Sequence, residues 1–221
     1  TGNACTTASL GGTITVNSLI DWANLQFPTT ATICPSGTVN VYGRFYENGV
    51  TPPAGAPSNV VVELGYSTSN TNPNTWTNWT AATFNAQYGN DDEFIGTLSG
   101  LAAGIYYYTF RYSLNGCSYQ YGGTNGFWDG TSNVSGVLTV EPNHTLSLTS
   151  GAATQSICQN TALSTITYTI GGGATGANVT GLPTGVSASV SGNTLTISGI
   201  SSVSGSFPYT ITTTGNTCTT A

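Results

Sequence analysis

Hydrophobic and polar residues alternate along most of this chain with a period of two. That spacing puts successive side chains on opposite faces of an extended strand. In the first part, the alternation and its punctuating turn residues predict strands over Asp21–Phe27, Thr38–Glu47, Val60–Ser67, Glu93–Leu98, Ile105–Leu114 and Gly136–Val140. The run Ile105-Tyr106-Tyr107-Tyr108-Thr109-Phe110-Arg111-Tyr112 is apolar or aromatic on both faces, as expected of a central strand, with Tyr106, Tyr108, Phe110 and Tyr112 on one side. Pro52-Pro53-Ala54-Gly55-Ala56-Pro57 reads as a loop, because proline cannot donate to a ladder. Further on, Leu146 and Leu148; Ile166, Tyr168 and Ile170; Ala188 and Val190; Leu195 and Ile197; and Phe207, Tyr209 and Ile211 mark five more strands. Gly171-Gly172-Gly173, Gly181-Leu182-Pro183-Thr184-Gly185 and Ser191-Gly192-Asn193 separate them.

Strands of this length and spacing predict an all-β fold of tandem immunoglobulin-like antiparallel β-sandwich domains. Composition agrees. Lys, Glu, Arg and Met, the usual helix formers, are nearly absent from the 221 residues, and only 5% of positions are charged. Two cations, Arg44 and Arg111, cannot build the basic patch that nucleic acid or an anionic membrane surface requires. No apolar run approaches the roughly 20 residues of a membrane helix. The expected partners therefore exclude nucleic acid and membrane insertion.

The two ends of the chain resemble each other. Thr1-Gly2-Asn3-Ala4-Cys5-Thr6-Thr7-Ala8 and Thr214-Gly215-Asn216-Thr217-Cys218-Thr219-Thr220-Ala221 agree at seven of eight positions. The first copy continues into the alternating segment Ser9-Leu10-Gly11-Gly12-Thr13-Ile14-Thr15-Val16. Residues 1–17 are accordingly expected to be the closing hairpin of a preceding repeat, residues 18–141 a β-sandwich domain, and residues 142–221 an Ig-like repeat lacking its last strand. On this reading the segment is a window cut from a longer tandem array, mature or excised, with any signal peptide removed or lying outside it. An absent last strand would leave an unpaired edge and an opened core. Strand completion by a neighbouring repeat or subunit of the same protein is the expected remedy.

The cysteines are Cys5, Cys34, Cys117, Cys158 and Cys218. With no C-x-x-C pair and a single histidine, His144, disulfides are the default and Cys/His metal binding is not expected. Repeat logic pairs Cys34 with Cys117 and Cys158 with Cys218, and sends Cys5 to a partner outside the segment.

Several motifs carry a resemblance. Cys158-Gln159-Asn160-Thr161, Gly181-Leu182-Pro183-Thr184-Gly185-Val186, Leu195-Thr196-Ile197-Ser198-Gly199 and Tyr209-Thr210-Ile211-Thr212 resemble the Ig-like/PKD-like repeats of giant surface proteins in Bacteroidota. Trp22–Pro28, Val41–Thr51, Gly65-Tyr66-Ser67, Asn90–Phe94, Gly104–Tyr108, Gly126-Phe127-Trp128 and Ser135–Val140 are similar to a sandwich module of secreted proteins in the same phylum. The resemblance implies an extracellular, cell-surface protein exported by the type IX system. Its expected role is that of a structural or adhesive segment, filament- or stalk-forming.

Candidate chemistry is sparse. No nucleophile–base constellation is visible, so the chain is not expected to be an enzyme. A carboxylate pair such as Glu47 with Glu63 is the nearest approach to glycosidase machinery. Asn90, Asp91, Asp92 and Glu93 form the densest set of oxygen donors and are candidate ligands for calcium, the one cofactor the sequence suggests. Trp76, Trp79 and Trp128 lie in or beside loops and are a candidate platform for surface glycans. They supply the alternative function, a carbohydrate-binding accessory module of a secreted hydrolase.

Overall fold

A computed structural model describes residues 12–218. The first unit contains strands β1 (Trp22–Phe27), β2 (Thr30–Ile33), β3 (Thr38–Tyr46), β4 (Val60–Ser67), β5 (Asn78–Ala81), β6 (Thr83–Tyr88), β7 (Asp91–Ser99), β8 (Gly104–Leu114), β9 (Gln120–Tyr121) and β10 (Gly136–Val140). The second contains β11 (His144–Ser150), β12 (Ile166–Gly172), β13 (Ala174–Thr180), β14 (Val186–Ser191), β15 (Thr194–Gly199) and β16 (Thr210–Gly215). One 3-10 turn at Pro73–Thr75 is the sole helical element among the described residues.

In the first unit, one sheet runs β1-β3-β7-β6 and the facing sheet β2-β10-β8-β4-β5, with β9 paired to β8. Seen as an immunoglobulin sandwich, these are A-B-E-D and A′-G-F-C-C′. The chain changes sheets between β1 and β2 through a cis Phe27–Pro28 peptide, and β2 then lies parallel to β10. Near the start of β8, the Tyr106 hydroxyl donates to the Ala102 carbonyl at 3.0 Å, the tyrosine corner of this fold. The topology is immunoglobulin-like.

The core explains why β8 is so aromatic. Tyr108, Phe110 and Tyr112 are fully buried between the sheets with Phe45, Leu25, Leu64 and Leu138. Burying one such side chain is worth about 1.5–3 kcal/mol. Tilted rings 5.7 Å apart (Phe45 and Tyr112) and 5.9 Å apart (Phe45 and Phe94) fill the space that a disulfide and a tryptophan occupy in antibody domains. The two tyrosines also bond the sheets to each other. The Tyr108 hydroxyl donates to Pro28 O at 2.8 Å and the Tyr112 hydroxyl to Asn24 O at 2.7 Å. Burial pushes the Tyr108 phenol up to about 12 and raises that of Tyr112 well above the ordinary phenol value, so both remain neutral donors.

The second unit repeats half of this plan in full. Its larger sheet, β11-β12-β15-β14, has the A-B-E-D order. Its other sheet is the two-stranded pair β13-β16, equivalent to C and F. Among the described residues, no strand lies along the free edge of β16, the place that β10 takes beside β8 in the first unit.

The expected closing hairpin at residues 1–17 falls largely outside the described residues. Within residues 12–17 no strand is formed, and Ile14 and Val16 are 91% and 88% exposed.

Candidate functional site

The cysteines overturn the expected pairing. Cys34 is bonded to Cys218, with Cα atoms 5.3 Å apart across 184 residues of sequence. The expected Cys34–Cys117 and Cys158–Cys218 bridges are therefore absent, and Cys117 and Cys158 are free thiols. Cys5 lies outside the described residues. The reason is the path of the chain. Cys34 follows β2, whose last residue Ile33 stands opposite Val140 just before the linker. Cys218 follows β16, which runs back toward that same linker: Asn216 Nδ2 donates to Pro142 O at 3.1 Å. Both cysteines therefore arrive at the junction of the two units.

Hydrogen bonds close around the linker there. The amides of Glu141, Gly173 and His144 donate to Ile33 O at 2.9 Å, Asn143 O at 3.2 Å and Cys218 O at 3.3 Å. His144, otherwise unremarkable in sequence, is buried at this junction, with Nδ1 2.9 Å from Thr213 Oγ1. A cysteine beside a strand that pairs next to the linker was the available sequence signal for this clasp.

The second feature is a cleft of about 930 Å³ in the second unit, between the A-B-E-D sheet and the free edge of β16. Ile166, Ile197, Val203, Phe207 and Ile211 line it, together with residues 153–159. Several apolar side chains of this unit reach solvent: Leu148 at 46%, Ile157 at 42%, Phe207 at 39% and Val203 at 38% exposed. In the first unit the corresponding space holds Leu138 and Val140 of β10, both buried. The hydroxyls of Tyr168 and Tyr209 meet at 2.7 Å on the cleft wall. Burial and this contact push the Tyr209 phenol up to about 12.

The candidate calcium ligands do not converge, which corrects the reading of them as one site. Asn90 belongs to the β6–β7 turn, and alternation along β7 sends Asp92 to the core face. Glu93 takes the opposite face, accepting from Asn85 Nδ2 at 2.6 Å and pairing with Arg44 Nε at 3.4 Å. Asp92 is fully buried and neither carboxylate oxygen has a hydrogen-bond partner. Burial, with Asp91 adjacent, pushes its pKa up to about 6. No group of three or more His, Cys, Asp or Glu residues that could hold a metal exists among the described residues.

The three tryptophans likewise form no common exposed platform. Trp76 is 6% exposed and stacks on Trp79 with ring centroids 5.9 Å apart. Trp79 lies over Gly65, which has no Cβ to obstruct the ring, and the Arg111 guanidinium covers it at 4.3 Å. Arg111 is fixed in turn by Glu63 at 2.7 Å. Burial works against the charged form of Glu63, but hydrogen bonds from Arg111 and Tyr119 outweigh it and hold the carboxyl below its usual range. Trp128 stands apart, in a separate cleft with Asn72, Asn74, Gln120, Tyr121 and Asp129. Glu47 and Glu63 have separate partners. Glu47 is buried and receives Ser18 Oγ at 2.6 Å and the Asp21 amide at 3.0 Å, fixing the chain where it enters β1.

No protein-family model matches the chain, and no curated protein matches it. Among solved structures, it is similar to the crystal structure of the I9-I11 tandem from titin at 12% identity and a TM-score of 0.32. That likeness covers 87% of this chain and 60% of the titin chain. No helix among the described residues is long and apolar enough to cross a membrane.

Proposed function

We propose that the chain is a structural repeat segment of a secreted cell-surface protein, a stalk or filament element in which two sandwiches form one stiff link. The observation that carries this reading is the clasp at the linker: a disulfide joins the last described turn of the second unit to the residue after the second strand of the first, and hydrogen bonds tie both sides to residues 141–144 between them. A loose tandem would leave Glu141-Pro142-Asn143 free to swivel. Disulfides persist in oxidising compartments, which favours an extracellular setting. The motif resemblance favours a Bacteroidota surface protein exported by the type IX route. Immunogold labelling of intact producing cells with antibodies to this segment tests the reading. Label on projecting surface material is the expected result, and label confined to the cell interior would overturn it.

One observation favours the accessory-module alternative: the cleft of about 500 Å³ that combines aromatic, amide and carboxylate groups at Asn72, Asn74, Gln120, Tyr121, Trp128 and Asp129. Glycan-array binding that disappears with Trp128→Ala would support that function, and an array with no signal would remove it.

A further inference from the structure

We infer that the Trp128 cleft of the first unit is a binding site for a cationic amino sugar, a glucosamine-type residue with a free ammonium group. The inference rests on the carbohydrate-binding reading of this cleft and names the class of sugar.

Two loops and a short strand build the site. The 3-10 turn after β4 supplies Asn74, and Asn72 caps that turn. The chain after β9 supplies Phe127, Trp128 and Asp129, and Tyr121 of β9 completes the wall. Backbone bonds hold the second loop: the Trp128 amide donates to Tyr121 O at 2.8 Å and the Asp129 amide to Asn133 O at 3.0 Å. Gly130 makes room for the indole, since a Cβ there would stand 3.0 Å from Trp128 Cη2. Tyr121, Phe127 and Trp128 are half-buried, so each ring is anchored in the protein and still lines the cleft. Rings held this way can stack on the C–H face of a sugar, while a few placed polar groups fix its orientation.

Asp129 gives the cleft its charge. Its Oδ1 accepts the Thr131, Ser132 and Asn133 amides at 2.8, 2.9 and 2.9 Å and the Thr131 hydroxyl at 3.1 Å. These bonds, that of the Asn133 amide foremost, fix the carboxylate and hold its pKa below the ordinary value, so it is ionised at neutral pH. Asp129 is exposed, and none of these bonds uses Oδ2. Arg44 and Arg111, the only Lys or Arg residues of the chain, are paired with Glu93 and Glu63. An ionised carboxylate without a counter-charge, set among three aromatic rings, suits a ligand cation on two counts. Oδ2 accepts a charge-assisted hydrogen bond, and the ring faces attract positive charge. The net charge of −6 adds a longer-range pull on cations and repels uronic or sulfated sugars. The carboxamides complete the match. Asn72 Oδ1 is taken by the Asn74 amide at 3.0 Å, which leaves Asn72 Nδ2 and the Asn74 side chain to meet sugar hydroxyls. Gln120 is already spent, since both ends of its side chain are bonded to Ile20. A neutral hexose can use the rings and the amides but brings no charge to meet Asp129.

Titration calorimetry of the full chain tests the assignment with four oligosaccharides of one length and linkage: glucosamine, N-acetylglucosamine, glucose and glucuronate. The glucosamine oligomer is expected to bind about tenfold or more tighter than the other three, and to weaken as added salt screens the ion pair. Asp129→Asn keeps an oxygen for the loop amides and removes the charge, so its thermal unfolding should match wild type. This variant should lose about tenfold or more in affinity for the glucosamine oligomer and nothing for the glucose oligomer. Trp128→Ala should abolish binding, which separates the cleft from diffuse attraction to an acidic protein. Glucosamine binding that survives Trp128→Ala or Asp129→Asn would overturn the inference. Equal affinity for the acetylated oligomer, or tightest binding of the glucose or glucuronate oligomer, would overturn the sugar class and leave the carbohydrate-binding reading standing. A chain that binds none of the four would overturn both.

Discussion

Cutting the Cys34–Cys218 bridge should change how the chain carries a pulling force. In the oxidised protein, a load applied at the two ends enters through residues up to Cys34, crosses the disulfide and leaves at Cys218. The residues between the two cysteines then bear no tension, so β3 to β16 are not stretched and only β1 and β2 lie on the loaded path. The chain outside the bridge, residues 1–34 and 218–221, supplies about 130 Å of contour at about 3.5 Å per residue. Without the bridge, the 184-residue separation adds about 640 Å. Optical tweezers with handles at both termini can compare the oxidised chain with Cys34→Ser. The oxidised chain should stop at the shorter extension, and the variant should show further unfolding steps totalling the difference. At equilibrium, a closed loop of this length constrains the denatured chain by about 5 kcal/mol, so the variant should also unfold at lower denaturant. Equal final extension in the two proteins would refute the shunt.

Two further outcomes follow from the first unit. Asp92 has a folded-state pKa of about 6 against 3.8 for the free residue. The native protein therefore binds this proton more tightly than the unfolded chain, and stability falls as pH rises from about 3.8 to about 6. Asp92→Asn should raise the melting temperature above pH 6 and make little difference near pH 4, as read by thermal unfolding across that range; a variant less stable than wild type at pH 7 would contradict the assignment. Gly65→Ala would drive a methyl group into the Trp79 ring. Chemical denaturation should register a loss of about 1–3 kcal/mol, whereas no loss would mean that Trp79 is not packed there.

The legibility of this molecule in its sequence varied with how much a strand depends on distant neighbours. Val60–Ser67 and Gly136–Val140 were readable to the residue, because one face is apolar and turns bound both ends. The expected Glu93–Leu98 strand extends to Asp91–Ser99, since its charged first turn is held in the ladder by β3 and β6. Strands β2, β5, β6, β9 and β13 were missed. Thr-, Asn- and Gly-rich stretches such as Ala174-Thr175-Gly176-Ala177 have weak alternation of their own and become strands through the partner beside them. The vacant edge of the second unit was approachable from the repeated octamer, because repeats transmit topology. The bridge was not. Pairing cysteines within each unit assumes that a unit's ends meet each other, whereas these chain ends meet at the linker. The tryptophans misled for a related reason: the absence of a side chain at Gly65 and the reach of Arg111, which bury the Trp79 faces, are properties of neighbouring strands.

Non-reducing proteolysis followed by mass mapping of the disulfide-linked peptides tests most directly whether the two sandwiches are one mechanical link. A Cys34–Cys218 cross-linked peptide, with Cys117 and Cys158 recovered as thiols, is the predicted result. Bridges Cys34–Cys117 and Cys158–Cys218 would place each bond inside a single unit, leave the linker unclasped and contradict the account.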